Sequence, residues 1–361
     1  MKSCILLIMF ILSISCFGQN MTIRQRGILP EKYANQIYEG KKSQNVRIVF
    51  YNVENLYDPY DDTTTMDNEF TASGAKHWIY SRFQTKLNHL SKTLLAIGEW
   101  EPPPIVGMCE VENRYVLNKL IWQTPLKKFK YRFIHHDSPD SRGIDVILLY
   151  RPEKFAILSF KYFEIHYPFD TGAQTREILM VKGKVFLNDT IILFVNHWPS
   201  RRGGYLESQP RRIFVAGLLR SKIDSIFRAD QHPNIIIMGD FNDEPDKESL
   251  EKVLKAIPLN KENKTADLVN LMLSGKIHWD EGTLKFQGQW SIFDQFIVSG
   301  NLVRSSDDSQ TIFAEAHIFR RDFLTEKDDR NLGEKLKRTY AGPRYLGGFS
   351  DHLPIYLDLS K

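Results

Sequence analysis

An α+β fold is what this sequence predicts, on three observations. Short runs rich in β-branched and aromatic residues recur with the length of strands, and elsewhere apolar residues return at three- and four-residue intervals, the spacing of amphipathic helices. No repeat, low-complexity tract or shift in composition divides the stretch that carries them. A chain of 361 residues, 42% of them hydrophobic, can bury a large core, so one α+β domain over residues 45–361 is the economical reading.

Before that domain, residues 1–18 read as a signal peptide. Lys2 precedes an apolar run from Cys4 to Ile14, which gives way to Ser15, Cys16, Phe17, Gly18 and Gln19. The run is shorter than the roughly 18 apolar residues that a membrane-spanning helix needs. Cleavage near Gly18 and Gln19 implies a secreted or periplasmic protein, with lipid attachment at Cys16 as the alternative route. After cleavage Cys109 alone remains of three cysteines, so no internal disulfide is expected and stability must come from burial. The formal charge of +4 becomes +3 once Lys2 is lost, a weakly basic balance that suits an anionic partner without requiring one. Residues 19–44 lack periodicity and read as an N-terminal extension, and a monomer is expected.

The elements follow in order. Val46 to Val53 reads as a strand and is followed by a polar loop from Asp58 to Ser73. Trp78, Phe83, Leu87, Leu90, Leu94 and Ile97 then mark a helix ending near Gly98. Strands are expected at Pro104–Cys109, Tyr131–His135, Ile144–Tyr150, Ile178–Phe186, Thr190–Asn196, Asn234–Met238, Phe293–Ser299 and Leu353–Leu359. Ile213, Ala216, Leu219, Ile223 and Phe227 mark a second helix, and Leu250, Val253, Leu254 and Ile257 a third. The aromatic stretch from Phe160 to Phe169 is open to two readings, strand packing or a base-stacking or lipid-contacting loop.

Several of these strands end in acids, amides or imidazoles: Asn52 and Glu54, Glu110 and Glu112, Asn196 and His197, Asp240 and Asn242, Asp294, and Asp351 with His352. A lone glutamate after a strand is ordinarily a solvated rim carboxylate, and a lone histidine ordinarily makes a structural hydrogen bond. A whole set is different, because a sheet can gather such ends into one cleft.

The segments Phe50-Tyr-Asn-Val-Glu-Asn55, Met108-Cys-Glu-Val-Glu-Asn113, Ser141-Arg-Gly-Ile-Asp145, Val195-Asn-His-Trp-Pro-Ser200, Met238-Gly-Asp-Phe-Asn242 and Phe349-Ser-Asp-His352 together resemble the endonuclease/exonuclease/phosphatase superfamily. The resemblance implies a four-layer α/β sandwich, two packed mixed β-sheets flanked by helices. It also implies a metal-dependent phosphodiesterase. Glu110 resembles the principal magnesium or manganese ligand, with Asn52 and Asp351 beside it. Asp240 resembles the carboxylate that orients or deprotonates the attacking water, and Asn242 an amide donor to the phosphate. His352 resembles the imidazole that contacts the scissile phosphate, with Asp294 as its partner, and His197 a second imidazole found in the deoxyribonuclease-like branches. Arg142 resembles a phosphate-binding arginine, although it could equally pair with Asp145 in a hairpin. Arg201 and Arg202 could extend the phosphate site or lie on solvated surface. Such chemistry suits hard oxygen ligands and groups that control charge at phosphorus.

Four readings compete. An inactive, ligand-binding relative should have lost the metal glutamate or the Asp-His pair, and both are present. Inositol-polyphosphate phosphatases carry a Trp-Cys-Asp-Arg-like segment where this chain has Ser291-Ile-Phe-Asp-Gln295. A sphingomyelinase-like activity shares the glutamate and both histidines. The weakly basic balance and the arginines near His197 favour a nuclease with nucleic acid as substrate.

Overall fold

The computed structural model describes residues 45–99, 101–185, 189–260, 262–273, 281–303 and 313–360. The leader and the N-terminal extension read from the sequence lie outside the described residues. Thirteen strands of the described chain form two mixed sheets. They are β1 (Asn45–Leu56), β2 (Ile105–Val111), β3 (Arg132–Ile134), β4 (Asp145–Tyr150), β5 (Ala156–Phe163), β6 (Ile178–Val185), β7 (Asp189–His197), β8 (Asn234–Asp240), β9 (Ala256–Pro258), β10 (Leu268–Asn270), β11 (Asp294–Ser299), β12 (Phe313–Ile318) and β13 (Ile355–Ser360). The first sheet runs β12-β13-β1-β2-β4-β3 and the second β5-β6-β7-β8-β11-β10-β9.

Side-chain alternation explains why the sheets stack. In β1, Val46, Ile48 and Phe50 enter a core between the sheets, whereas Val49, Tyr51 and Val53 face the other way. β8 does the same on the second sheet, with Ile236 and Met238 in the shared core and Ile235 and Ile237 on its outer face. Strands apolar on both faces need cover on both. On the first sheet the outer cover is α1 (Tyr80–Gly98), through Phe83, Leu87, Leu90, Leu94 and Ile97, joined by α2 (Arg114–Trp122), through Val116, Leu117 and Leu120. On the second it is α3 (Tyr205–Ala229), through Val215, Ala216, Leu219 and Ile223. Helix, sheet, sheet and helix make the four expected layers. The sheets approach closely where a Cβ on Gly107 of β2 would lie 2.8 Å from Met238 Cε. Removing the Phe50 ring from this core should cost roughly 3–5 kcal/mol.

Some expected elements move. Trp78 precedes α1 instead of joining it, and its indole N–H donates to the Tyr57 carbonyl. The third expected helix shrinks to a six-residue π-turn, Ser249–Leu254, closed by Lys255 at φ 60°, and Ile257 belongs to β9. Only Leu250 and Leu254 of that turn are buried apolar positions, too few to extend a helix against β9. α2, β9, β10 and β12 are not expected from the sequence, and β5 only as one of the two readings of the aromatic stretch. α2 is two turns long and is set by its cap, the Asn113 side chain accepting from the Tyr115 and Val116 amides. A register shift between Ile157 and Ser159 breaks the alternation in β5. Phe160 to Phe163 lie in β5 and Tyr167 is buried, so strand packing accounts for the aromatic stretch apart from the exposed Phe169. Among the described residues no helix is long and apolar enough to cross a membrane.

Candidate active site

The two sheets meet at their polar strand ends. β1 and β8 face each other across the core, and Asn52 Nδ2 donates to Asp240 Oδ2 at 3.0 Å, a buried bond from one sheet to the other. Three adjacent strands of the second sheet end level with one another. Parallel pairing places His197 opposite Asp240, and antiparallel pairing places Asp294 opposite Asp240 on the other side. Gly239 permits this row, since a Cβ there would lie 2.5 Å from the Asn196 carbonyl oxygen.

The first sheet presents its groups differently. β1 and β2 lose register between Asn52 and Leu56, and there Glu54, Asn55 and Glu110 all adopt left-handed backbone, at φ 49°, 56° and 63°. Such conformations cost non-glycine residues energy and persist only when surrounding bonds hold them. Here the Glu54 amide donates to Asn52 Oδ1 at 3.0 Å and the Asn55 amide to Glu110 Oε2 at 2.9 Å. The bulge thereby aims Glu110 out of the ladder and over the seam.

His352 arrives from the segment before β13. Ser350 Oγ donates to the Asn52 carbonyl at 2.8 Å and accepts from the His352 amide at 3.1 Å. The Thr283 hydroxyl accepts from the Asp294 amide while its carbonyl accepts from the Leu353 amide, tying the two ends together. His352 Nδ1 then meets Asp294 Oδ2 at 2.6 Å, the expected pair, with Nε2 3.8 Å from Asp240 Oδ2.

The two buried histidines are in opposite states. Burial opposes charge on His352, but the Asp294 and Asp240 carboxylates outweigh it and raise its pKa well above the usual value. Burial likewise opposes charge on His197, and Arg176, Arg142 and His352 push in the same direction, so its pKa falls well below the usual value. Its Nε2 lies 3.9 Å from Glu110 Oε1 and 3.8 Å from Asp240 Oδ2, contacts of a neutral ring and not ion pairs. Burial raises Asp240 to about 6, with His352 working against that rise and Asp294 adding to it.

The remaining expected residues divide. Asn242 sits at φ 51° with its amide on Asp240 Oδ1 at 2.9 Å, and its side-chain Nδ2 donates to the Trp198 carbonyl at 3.0 Å. Arg142 does not pair with Asp145, which takes His135 Nε2 and the Ser138 amide, each at 2.9 Å. Instead Arg142 Nε lies 3.5 Å from Asp140 Oδ1. Arg201 donates to the Asn242 carbonyl at 2.9 Å and to Asp243 Oδ1 at 3.2 Å, whereas Arg202 is exposed. Asp351 accepts from Arg338 Nη2 at 2.9 Å.

Sequence reasoning misses Arg176, Asp243 and Arg338. Arg176 is buried between Asp140 Oδ2 at 2.9 Å and the Trp198 carbonyl at 2.8 Å, and its one clue is a charged Arg-Glu pair directly before an apolar strand. Asp243 bridges Arg201 and the fully buried Arg212 and directly follows Gly-Asp-Phe-Asn. Arg338 carries no local signal.

The first-sheet side presents oxygens of the kind a hard cation takes. Glu110 and Asn52 offer oxygen donors, and Glu110 Oε2 receives a single main-chain donor. The ligand atoms of Asp240, Asp294 and His352 also lie within 4.8 Å of one another, but there Nδ1 is already committed to Asp294.

A family model described as the Endonuclease/Exonuclease/phosphatase family matches residues 47–361. This chain belongs to that family. Enzymes of the endonuclease/exonuclease/phosphatase family are phosphoester hydrolases, generally dependent on divalent metals. None of the curated proteins compared matches the chain. Among solved structures, a mannosyl-6-phosphatase from Bacteroides thetaiotaomicron is 15% identical with a TM-score of 0.55, over 88% of this chain and 100% of that one. The human Nocturnin catalytic domain with bound sulfate is 14% identical with a TM-score of 0.53, over 88% and 94%. TDP2 from D. rerio in complex with a single-strand DNA product is 15% identical with a TM-score of 0.51, over 88% and 99%. At these identities the likeness is one of fold.

Proposed function

We propose that this family member is a divalent-metal-dependent phosphodiesterase that hydrolyses DNA or RNA, exported behind the leader at residues 1–18. The observation that carries this reading is the seam floor, where a charged histidine held by Asp294, the Asp240 carboxylate and a neutral His197 lie beside oxygen donors. Asp240 is oriented by Asn52 and by the Asn242 amide, leaving it placed to align water and accept its proton. His352 keeps its proton on a buried ring and can stabilise charge that builds on phosphate oxygen. Held at Glu110, with Asn52 and Asp351 as proposed co-ligands, a magnesium or manganese ion would supply Lewis-acid stabilisation at phosphorus.

Nucleic acid is favoured over lipid by two observations. Arg142 and Arg201 flank the floor, and the aromatic stretch offered for lipid contact is mostly committed to β5 and the protein interior. The test is purified protein with magnesium or manganese, assayed on DNA, RNA, sphingomyelin vesicles, inositol phosphates and bis(p-nitrophenyl) phosphate. Cleavage of DNA or RNA is expected. Efficient sphingomyelin hydrolysis with both nucleic acids intact would sink the nuclease reading and keep the phosphodiesterase one.

A further inference from the structure

Arg338 stands where Arg201 has a mirror. Arg201 rises from the second-sheet side of the seam, with Nε on the Asn242 carbonyl at 2.9 Å and Nη2 on Asp243 Oδ1 at 3.2 Å. Arg338 rises on the first-sheet side, with Nη2 on Asp351 Oδ2 at 2.9 Å and Nε near Glu54 Oε1 at 3.4 Å. In both, Nε and one Nη are anchored and Nη1 stands outside those bonds. Both guanidinium groups reach solvent, with side chains 29% and 45% exposed. Each anchor touches the catalytic floor, Asp243 being next to Asn242 and Glu54 donating its amide to Asn52. Between the two arginines runs the Asn52–Asp240 bond that marks the seam.

We infer that Arg338 is a substrate-binding residue, and that a nucleic acid strand crosses the seam with one flanking phosphate on Arg338 and the other on Arg201. This rests on the nuclease reading above. A guanidinium held by two acceptors keeps its orientation, and a fixed fork is the form in which arginine recognises phosphate oxygens. Arg201 is stiffened further by the Phe293 ring, 4.4 Å from its guanidinium carbon, and the Tyr205 ring at 5.0 Å. Arg338 is not needed merely to neutralise Glu54. That carboxylate already takes the Thr339 amide at 2.5 Å and has the buried Lys86 ammonium among the charges acting on it. What Arg338 has left for a phosphate is its Nη1, which lies outside the bonds to Glu54 and Asp351 on a side chain 45% exposed.

The experiment uses the full chain with magnesium and two ladders of single-stranded oligonucleotides. Both ladders start from a dinucleotide with one cleavable phosphodiester, and one grows by phosphates on the 5′ side, the other on the 3′ side. In the wild type, kcat/KM should climb about tenfold with the first phosphate added on either side, the scale of one charge-assisted hydrogen bond. Arg338→Gln should abolish the climb in one ladder and Arg201→Gln in the other. Arg338→Lys should restore part of it, because the charge returns without the fork. Loss by one common factor in both ladders would mean that Arg338 only props Asp351, and would overturn the inference. Flat wild-type ladders with the dinucleotide cleaved would overturn it while sparing the nuclease reading. Turnover of bis(p-nitrophenyl) phosphate with every oligonucleotide intact would remove both.

Discussion

The two lips of the seam are built on opposite principles. On the second-sheet side His197, Asp240, Asn242 and Asp294 are all buried, and Asp240, Asn242 and Asp294 are each hydrogen-bonded before any substrate arrives. On the first-sheet side Glu110 and Asp351 are wetter, and the carboxylates Glu54, Glu110, Glu112 and Asp351 outnumber the cations Lys86 and Arg338 beside them. Glu54 and Glu112 lie buried just behind, both with pKa values raised chiefly by burial, Glu112 to about 9. One lip is held largely by the protein's own bonds, although His197 Nδ1 and Asp294 Oδ1 take no hydrogen bond among the described residues. The other offers the half-buried Glu110 and Asp351 carboxylates to an exchangeable cation, which is why the metal is proposed at Glu110 and not at the tighter Asp240, Asp294 and His352 group.

The comparison breaks most easily at Glu110. Glu110→Gln should lower turnover by about a thousandfold at saturating magnesium, the several kcal/mol that a bound metal supplies, while leaving the melting temperature unchanged. Near-normal turnover would mean that the first-sheet lip is not where the ion acts. On the second-sheet lip, His352→Ala and Asp240→Asn should each reduce kcat by roughly 10²–10⁴-fold with little change in KM, because both groups are proposed to act on developing charge or on a proton in flight. Should KM alone rise, these groups bind substrate and the contrast between the lips fails.

A smaller effect is expected at the rim. Arg201→Ala with Arg202→Ala should flatten the dependence of DNA affinity on salt, by about 0.9 in the log–log slope for each phosphate of duplex DNA that the pair neutralises. Filter binding across a salt series reads that slope, and an unchanged one would remove both arginines from the substrate path.

The smallest effect concerns the buried carboxyl behind the first-sheet lip. Glu112 holds its proton in the folded protein up to about 9, whereas an unfolded glutamate releases it near 4.5. Between those values the folded state binds the extra proton, so this group's contribution to stability is full below about 4.5 and is lost as pH rises through 9. Glu112→Gln keeps an acceptor for the Asp58 amide and removes the titration. It should therefore raise the melting temperature at pH 8 by a few degrees, about 1 kcal/mol, and bring little gain at pH 4. A gain that is equal at both pH values would place the effect in packing instead of charge.

How much of this is legible in the sequence follows from where the signals lie. β1, β2, β7, β8 and β11 are readable because both faces are apolar and each run stops at a polar residue, so the same letters mark the strand and the site. The pairing of His352 with Asp294 rests on resemblance, and the Asn52–Asp240 bond has no sequence signal, because it joins strands 188 positions apart. Edge strands such as β12 alternate with Glu315 and His317 and carry half the apolar signal of a buried strand. Arg176 and Arg338 escape because an arginine's role is set by what folds around it, and only Arg176 has even a weak flag, the Arg-Glu pair before β6.

The strand that completes the first sheet has a consequence for the birth of the protein. β13 lies between β12 and β1, and its Asp358 meets Arg47, 311 positions earlier in the chain. At a synthesis rate of about 5–20 residues per second, β1 waits roughly 15–60 s with that edge open. An unpaired apolar edge recruits other strands, so the nascent chain needs shielding during this interval. The same delay withholds part of the candidate site. Asp351 and His352 come off the ribosome just ahead of β13, so a partly made chain holds neither residue.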